Sequence, residues 1–205
     1  MAPVCQTRYR LPPAVPAPAV RPVVVGAGPA GLFCALALAR CGASPILLER
    51  GWNVERRRED VERFWAAGQL DESSNVQFGE GGAGTFSDGK LNTGTRDPRH
   101  RFILETLVQH GAPEDILYDA KPHVGTDYLH RILSSMRREL AGLGCDVRFG
   151  SRLESLELRG NRLEALGVRE ALFYLDQQVS NSGRLRALLL DKAEGHSVRV
   201  QVELH

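Results

Sequence analysis

The chain has 205 residues, enough for one domain with a substantial core or for one domain and part of a second, but not for a large multidomain enzyme. Hydrophobic residues make up 42% and charged residues 25%, with a formal net charge of +1. This balance is typical of globular proteins. It carries no strong bias toward nucleic acid or a membrane surface, so we expect neither as a partner.

The first twenty residues differ in composition from the rest. Proline alternates with alanine and valine between Pro12 and Pro22, a pattern that favours an extended linker. The segment lacks the apolar run and cleavage site of a secretory signal. The longest apolar stretch, 27–39, is shorter than the roughly 20 residues of a membrane span. We therefore predict a flexible segment over 1–20, one domain over 21–205, and a cytoplasmic location.

A β-α-β unit opens the predicted domain. The run 23–25 is short, β-branched and bounded by Gly26, which predicts a strand buried on both faces of a parallel sheet. Small and apolar residues over 32–38 predict a helix that stops at Cys41-Gly42. The apolar run 46–48 then predicts a second buried strand, so the unit is complete by residue 49.

The next stretch predicts one helix and one long loop. Residues 54–67 place Val54, Val61, Phe64 and Trp65 on one helical face, and the charged "ERRRED" run is predicted to form the solvated face. Residues 75–98 contain six glycines and little periodicity. They predict an irregular loop of a length that is usually functional or disordered.

The second half of the chain predicts helices followed by strands. Helical patterns cover 99–110 and 128–143, and "CDVRFGS" predicts a strand. Alternation over 152–170 predicts a hairpin that turns at Gly160-Asn161, and 198–204 is a further strand-like stretch. We predict a three-layer α/β fold of the FAD/NAD(P)-binding, Rossmann-like class. A parallel sheet would carry helices on one face and an antiparallel β-meander on the other.

Three glycines between the first strand and helix form a GxGxxG pattern in "VVVGAGPAG". Gly26 permits a tight turn, Gly28 lets the backbone approach a pyrophosphate, and Gly31 lets the helix pack closely on the sheet. The helix N-terminus then offers free N–H groups to phosphates. Glu49, at the end of the second strand, can accept hydrogen bonds from ribose hydroxyls and disfavours a 2′-phosphate. The spacing of the glycines and the acid does not decide whether the dinucleotide is NAD or FAD.

A second glycine-rich segment, "GEGGAGTFSDGK", covers residues 79–90. Such a loop can present several backbone N–H groups to a flavin ring edge or a phosphate. It is not a Walker phosphate loop, because Gly89-Lys90 is followed by Leu91 and the glycine spacing differs. A flexible surface loop is the alternative interpretation.

Residues 23–168 resemble the FAD-dependent dehydrogenase-like family of flavoproteins, which is distantly similar to glutathione-reductase-type FAD domains. The resemblance is carried by "VVVGAGPAGLFCALALARCGASPILLERG", "SNVQFGEGGAGTFSDGKLNTGTRDP", "GAPEDILYDAKPHVGTDYL" and "GCDVRFGSRLESLEL". It implies that FAD is the cofactor. It also implies that the adenosine diphosphate half of FAD is held by the three motif glycines and the acid, Gly26, Gly28, Gly31 and Glu49.

By the same resemblance Gly81, Gly82 and Ser87 would lie near the flavin or its ribityl chain. The predicted cofactor site also includes Pro29 and Ala30 at the helix start, and Arg50 beside the acid.

The C-terminus departs from the family. Members are about twice as long or longer and continue into an "AxGHSxRD" segment that closes the flavin site. Here "KAEGHSVRV" echoes that segment at Ala193, Gly195, His196, Ser197 and Arg199, but Val200 replaces its aspartate. We therefore expect a truncated or divergent member without the family's substrate domain.

Other polar residues do not predict a site. His123, Asp127 and His130 are expected to serve structure rather than bind a metal. The cysteines show no CxxC spacing, which argues against a zinc ribbon and a redox pair. We expect no metal and assign no catalytic residue.

The sequence thus favours an FAD-dependent oxidoreductase, or its FAD-binding portion, in which the flavin transfers hydride or electrons. NAD(P)H is a candidate electron donor, although no second GxGxxG is present. Two alternatives stay open. One is a non-catalytic nucleotide-binding fragment or interaction module, and the other is an NAD-dependent dehydrogenase.

Overall fold

The computed structural model describes residues 9–14, 16, 18, 20–87, 89–91, 97–119, 122–159, 162–170 and 198–201. Its helices are α1 (Pro29–Arg40), α2 (Val54–Ala67), α3 (Arg99–Gln109) and α4 (Thr126–Gly142). Its strands are β1 (Val23–Val25), β2 (Ile46–Leu48), β3 (Asp146–Arg148), β4 (Ser151–Arg159), β5 (Arg162–Glu170) and β6 (Val198–Gln201). Short 3-10 helices cover Ala83–Phe86 and Glu114–Leu117.

The first three strands form a parallel sheet in the order β1-β2-β3. Val24, Leu47 and Val147 are aligned across it in register. Since side chains alternate between the faces of a strand, these three point to one face and their neighbours to the other. Both faces of this sheet are covered, which explains the uninterrupted apolar runs of β1 and β2.

The helices α1, α3 and α4 cover one face and form the main core. Val24 and Leu47 pack there with Leu36 of α1 and with Met136 and Leu140 of α4. A polar contact reinforces the same layer, because Arg40 of α1 donates to both carboxylate oxygens of Glu139 of α4, at 2.7 and 3.0 Å.

The β-meander covers the opposite face. Strand β5 pairs antiparallel with both β4 and β6. Leu166 and Val168 of β5 pack with Leu48 of β2, and the partly buried Val23 and Leu153 extend this second core. The predicted three-layer α/β fold is therefore confirmed, with the meander on the face predicted for it.

Most predicted elements are present at the expected positions. Strands β1 and β2 and helix α2 have the predicted bounds, and α4 begins two residues before its predicted start. The predicted loop over 75–98 contains one short element, the 3-10 helix Ala83–Phe86. The hairpin pairs up to Arg159 and Arg162, on either side of the predicted turn at 160 and 161. Those two residues, and the segment 171–197, lie outside the described residues.

The prediction for the faces of α2 was wrong in part. Arg57 and Asp60, assigned to the solvated face, are 0% and 3% exposed, whereas Trp65, assigned to the apolar face, is 65% exposed. Tertiary partners explain the difference at Arg57, because a neighbouring loop supplies hydrogen-bond acceptors that helical periodicity does not reveal.

The described residues include neither a membrane-spanning helix nor a cluster of metal ligands. None of their helices is long and apolar enough to cross a membrane. No group of three or more His, Cys, Asp or Glu side chains among them could hold a metal ion, and His123, Asp127 and His130 do not form one.

The glycines of the first motif differ in the space around them, which predicts different tolerance to alanine. A Cβ at Gly31 would lie 1.8 Å from the carbonyl oxygen of Gly26, whereas a Cβ at Gly28 would meet nothing within 4 Å. We expect Gly31→Ala to lower the free energy of unfolding by about 1–3 kcal/mol, the usual cost of overpacking. Gly28→Ala should change it by less than about 1 kcal/mol. Urea denaturation measures both, and equal stability of the two variants would contradict the close packing of α1 on β1.

Candidate functional site

The first glycine motif shapes the turn between β1 and α1. Gly26 follows β1 with φ +92°, a conformation that favours glycine, and its N–H donates to the Leu48 carbonyl at 2.7 Å. Gly28 is the N-cap of α1, and Pro29 is its first residue. Because Gly28 has no side chain, the positive end of the helix dipole is left open to an approaching anion.

Glu49 connects this turn to the loop that follows β2. The side chain is 5% exposed. Its Oε2 accepts a hydrogen bond from the Ala27 N–H at 2.6 Å, and its Oε1 accepts one from the Gly51 N–H at 2.8 Å. A carboxylate offers about four acceptor positions, so capacity remains for a ligand hydroxyl.

The second glycine-rich segment packs directly on the first. The Gly81 N–H donates to the Ala27 carbonyl at 2.8 Å. A Cβ at Gly82 would lie 3.3 Å from Cδ of Pro29, and one at Gly51 would lie 2.5 Å from Cα of Gly79. The first two contacts join segments that are about fifty residues apart in sequence, and the third joins segments that are about thirty apart.

The segments enclose a cleft of about 440 Å³ at the carboxyl ends of β1 and β2. Ligands of open α/β sheets bind at this edge. Five predicted site residues line the cleft: Gly26, Gly28, Glu49, Arg50 and Gly82. The remaining wall is formed by Val25, Leu48, Gln77, Phe78, Gly79, Ser151, Arg152 and Leu153.

A second, smaller cavity of about 250 Å³ adjoins Pro29 and Gly81. Its walls are mainly apolar side chains of α1, α3 and α4, among them Leu32, Leu107 and Met136. Three predicted site residues line it: Pro29, Gly81 and Ser87. Ala30 and Gly31 line neither cavity, and Gly31 instead packs against the backbone of Gly26 in the turn after β1.

Sequence analysis missed the walls contributed by Phe78 and by β4. The guanidinium of Arg50 stacks on the Phe78 ring, 3.8 Å from its centroid, and donates to the Glu72 carbonyl at 3.0 Å. Arg152 and Leu153 come from the first strand of the meander. No local pattern marks these residues, because their proximity to Glu49 depends on how the meander packs on the sheet.

Two separate parts of the chain match protein families. Residues 21–88 match the family described as FAD binding domain, and residues 125–205 match a domain of unknown function, DUF5616. The first match contains the first glycine motif, residues 79–88 of the second glycine-rich segment and all ten predicted site residues. Residues 21–88 are an FAD-binding segment. The sequence-based prediction of FAD as the cofactor is thereby confirmed, while the role of each residue stays a prediction.

The cleft is not confined to the FAD-binding segment. Ser151, Arg152 and Leu153 close its far side, and they belong to the part that matches the domain of unknown function. The two matched regions therefore share one site.

A longer relative matches most of this chain. An uncharacterized protein of Clostridium beijerinckii is 47% identical over 184 residues, covering 90% of this chain and 32% of that protein. The chain thus spans about a third of the length of this relative.

Solved structures that match this chain include THI4 of Thermovibrio ammonificans. Its TM-score is 0.49 at 15% sequence identity, and the match covers 90% of this chain and 54% of that one. Another is the Bacillus halodurans glycerol-3-phosphate dehydrogenase complexed with FAD. Its TM-score is 0.40, at 14% identity over 75% of this chain and 31% of that one.

Glu80, within the FAD-binding segment, is a buried acid that sequence analysis did not select. Its Oε2 accepts hydrogen bonds from the Val54 N–H, at 2.8 Å, and from Arg137 of α4. Its Oε1 is buried and has no partner among the described residues. Burial raises the pKa of Glu80 to about 7, although Arg137 and the Val54 N–H act to lower it.

This raised pKa predicts a pH dependence of stability. Between pH 4.5 and about 7 the carboxyl is protonated in the folded state and ionised in the unfolded state, so stability falls as pH rises. Glu80→Gln removes this titration. The free energy of unfolding of the wild type, minus that of the variant, should therefore fall by up to about 3 kcal/mol across the window. Denaturant titrations at several pH values measure this difference.

Glu62→Gln is the matched control, because Glu62 lies exposed on α2. The fall expected for Glu80→Gln is measured relative to this variant, so that any general effect of exchanging a glutamate for glutamine is subtracted. A flat or rising difference for Glu80→Gln would mean that the carboxyl is ionised in the folded protein.

Proposed function

We propose that the chain is the FAD-binding portion of a flavin-dependent oxidoreductase, and that the cleft around Gly28, Glu49 and Gly82 holds the adenosine diphosphate half of FAD. One observation carries the proposal. The open end of α1, a buried acid and a second glycine loop converge on a single cleft, and all three belong to the FAD-binding segment.

The cleft offers a matching group for each part of adenosine diphosphate. The diphosphate would lie at the start of α1, where Gly28 leaves space and the helix dipole favours negative charge. Glu49 would accept hydrogen bonds from the ribose hydroxyls with its remaining acceptor positions. The adenine would lie in the part of the cleft bounded by Phe78 and Leu153, which supply apolar contact to a flat ring.

The flavin half would extend past Gly82 toward Gly81 and Ser87, where the apolar cavity provides a water-poor environment. Bound FAD supplies the hydride or electron transfer, and this chain's residues bind and orient it. The electrons would pass to a small-molecule substrate or electron acceptor.

The chain spans about a third of the length of its relative, so the activity of the whole protein is likewise proposed. NAD(P)H is the proposed electron donor, since nicotinamide cofactors supply hydride to flavins. The proposed location is the cytoplasm, which suits the free thiols of Cys34 and Cys145.

The visible absorption spectrum of the purified chain, before and after addition of FAD, tests the proposal. A bound flavin with resolved absorption bands, released as FAD on denaturation and identified by mass, would support it. A colourless chain that takes up neither added FAD nor NAD would favour the non-catalytic fragment. A separate calorimetric titration with NAD tests the other alternative, because uptake of NAD without uptake of FAD would favour the dehydrogenase.

Gly28→Val should remove FAD binding without unfolding the chain. The added side chain occupies space that is open in the fold, but it lies where the diphosphate would approach the helix. We expect FAD affinity to fall by a factor of about ten or more, with stability reduced by only about 1 kcal/mol. Fluorescence titration of FAD measures the affinity.

Gly142→Val is the matched control, because Gly142 at the end of α4 also has open space around it and lies outside both cavities. It should bind FAD as the wild type does. Unchanged FAD affinity in Gly28→Val would place the diphosphate elsewhere.

A further inference from the structure

Arg57 is a wholly buried arginine beneath the second glycine loop. It lies on the first turns of α2 and is 0% exposed. Its Nε donates to the Asn75 carbonyl at 2.8 Å, and its Nη1 donates to the carbonyls of Glu80 at 2.7 Å and Gly82 at 2.8 Å. These acceptors all belong to one stretch of chain, 75–82.

The loop is built to accommodate this side chain. A Cβ at Gly79 would lie 2.5 Å from Cδ of Arg57, so only glycine leaves room for the arginine. Gly79, Gly81 and Gly82 all have positive φ, between +66° and +121°. Glycines lose much conformational freedom on folding, so a loop with this composition needs external hydrogen bonds to hold one conformation.

The hydrogen bonds of Arg57 also decide which way the loop amides point. Peptide units are planar and trans, so the N–H of a unit points opposite to its C=O. The Gly82 carbonyl faces the buried guanidinium, which turns the N–H of Ala83 away from it. Gly82 lines the cleft beside Gly28, so this peptide lies at the cleft wall.

No carboxylate makes a hydrogen bond with Arg57 in the described residues, and its Nη2 has no partner there. A buried cation without a direct ion pair is costly, and here backbone carbonyls take the place of a carboxylate. Burial lowers the pKa of Arg57 to about 10, while the charges of Glu49 and Glu80 raise it, so the guanidinium stays charged at neutral pH.

We infer that Arg57 is a positioning residue for the cofactor. It holds the loop 79–82 in the conformation that meets the part of FAD beyond the adenosine monophosphate moiety, without touching FAD. The inference rests on the proposed function, because it assigns a determinant of affinity within the same cleft. It distinguishes two parts of the ligand: binding of FAD depends on the arginine, and binding of AMP, which lies toward Glu49, does not.

The test compares Arg57→Met and Arg57→Lys with the wild type in the full 205-residue chain. Methionine keeps the length and loses every donor. Lysine keeps the charge but loses the planar fork that reaches the carbonyls of Asn75, Gly79, Glu80 and Gly82. The control is Arg58→Met, since Arg58 is the next residue of α2, is exposed, and pairs with Glu62 at 2.8 Å. FAD affinity is measured by fluorescence titration, and weak AMP binding by NMR chemical-shift titration.

We expect both Arg57 variants to bind FAD about tenfold more weakly or worse, and AMP within about twofold of the wild type. Arg58→Met should match the wild type for both ligands. Should Arg57→Met fail to fold, the Lys variant alone decides the question.

Three results would overturn the inference. Unchanged FAD affinity would show that the loop needs no arginine. An equal loss of FAD and AMP affinity would indicate a general structural role, and full rescue by lysine would assign the effect to charge rather than to the carbonyl contacts. Failure of the proposed function itself would be seen separately, as a wild-type chain that binds no FAD.

Discussion

The peptide groups on either side of Ala27 hold the candidate site together. The N–H of this buried residue donates to Glu49 Oε2 at 2.6 Å, and its carbonyl accepts from the Gly81 N–H at 2.8 Å. One residue in the turn after β1 is thereby bonded both to the acid after β2 and to the distant glycine loop. These two bonds hold the walls of the cleft in fixed relative positions, although the walls come from segments that are far apart in sequence.

The turn after β1 and the acid after β2 are held in place by a sheet that is apolar on both faces. Val24 and Leu47 contribute to the core with the helices, while Val23 and Leu48 contribute to the core with the meander. Each side of the sheet therefore buries apolar area, which is the main favourable term in folding. The packing also positions one wall of the cleft, since Leu153, which packs against the second core, lines it.

Buried ionisable groups surround the glycine loop, and hydrogen bonds offset the desolvation cost of burying them. Glu49 accepts from two backbone N–H groups, Glu80 from a helix N-terminus and Arg137, and Arg57 donates to a series of carbonyls. Removing one partner from such a network leaves an uncompensated buried group. The network thus stabilises one conformation of a loop whose glycines would otherwise allow many.

The sequence by itself determined the elements and the first half of the site. Local signals suffice there, because a β-branched run, a glycine turn and a helix pattern follow one another within thirty residues, as the bounds of β1 and β2 confirm. Only the tertiary structure decided that Arg57 is buried, that Glu80 meets Arg137, and that Arg152 borders the cleft. The physical reason is that hydrogen-bond acceptors and apolar neighbours for these side chains come from distant parts of the chain. Helical periodicity records only the average polarity of a face, so an arginine that is satisfied by a remote loop is indistinguishable in sequence from one that faces water.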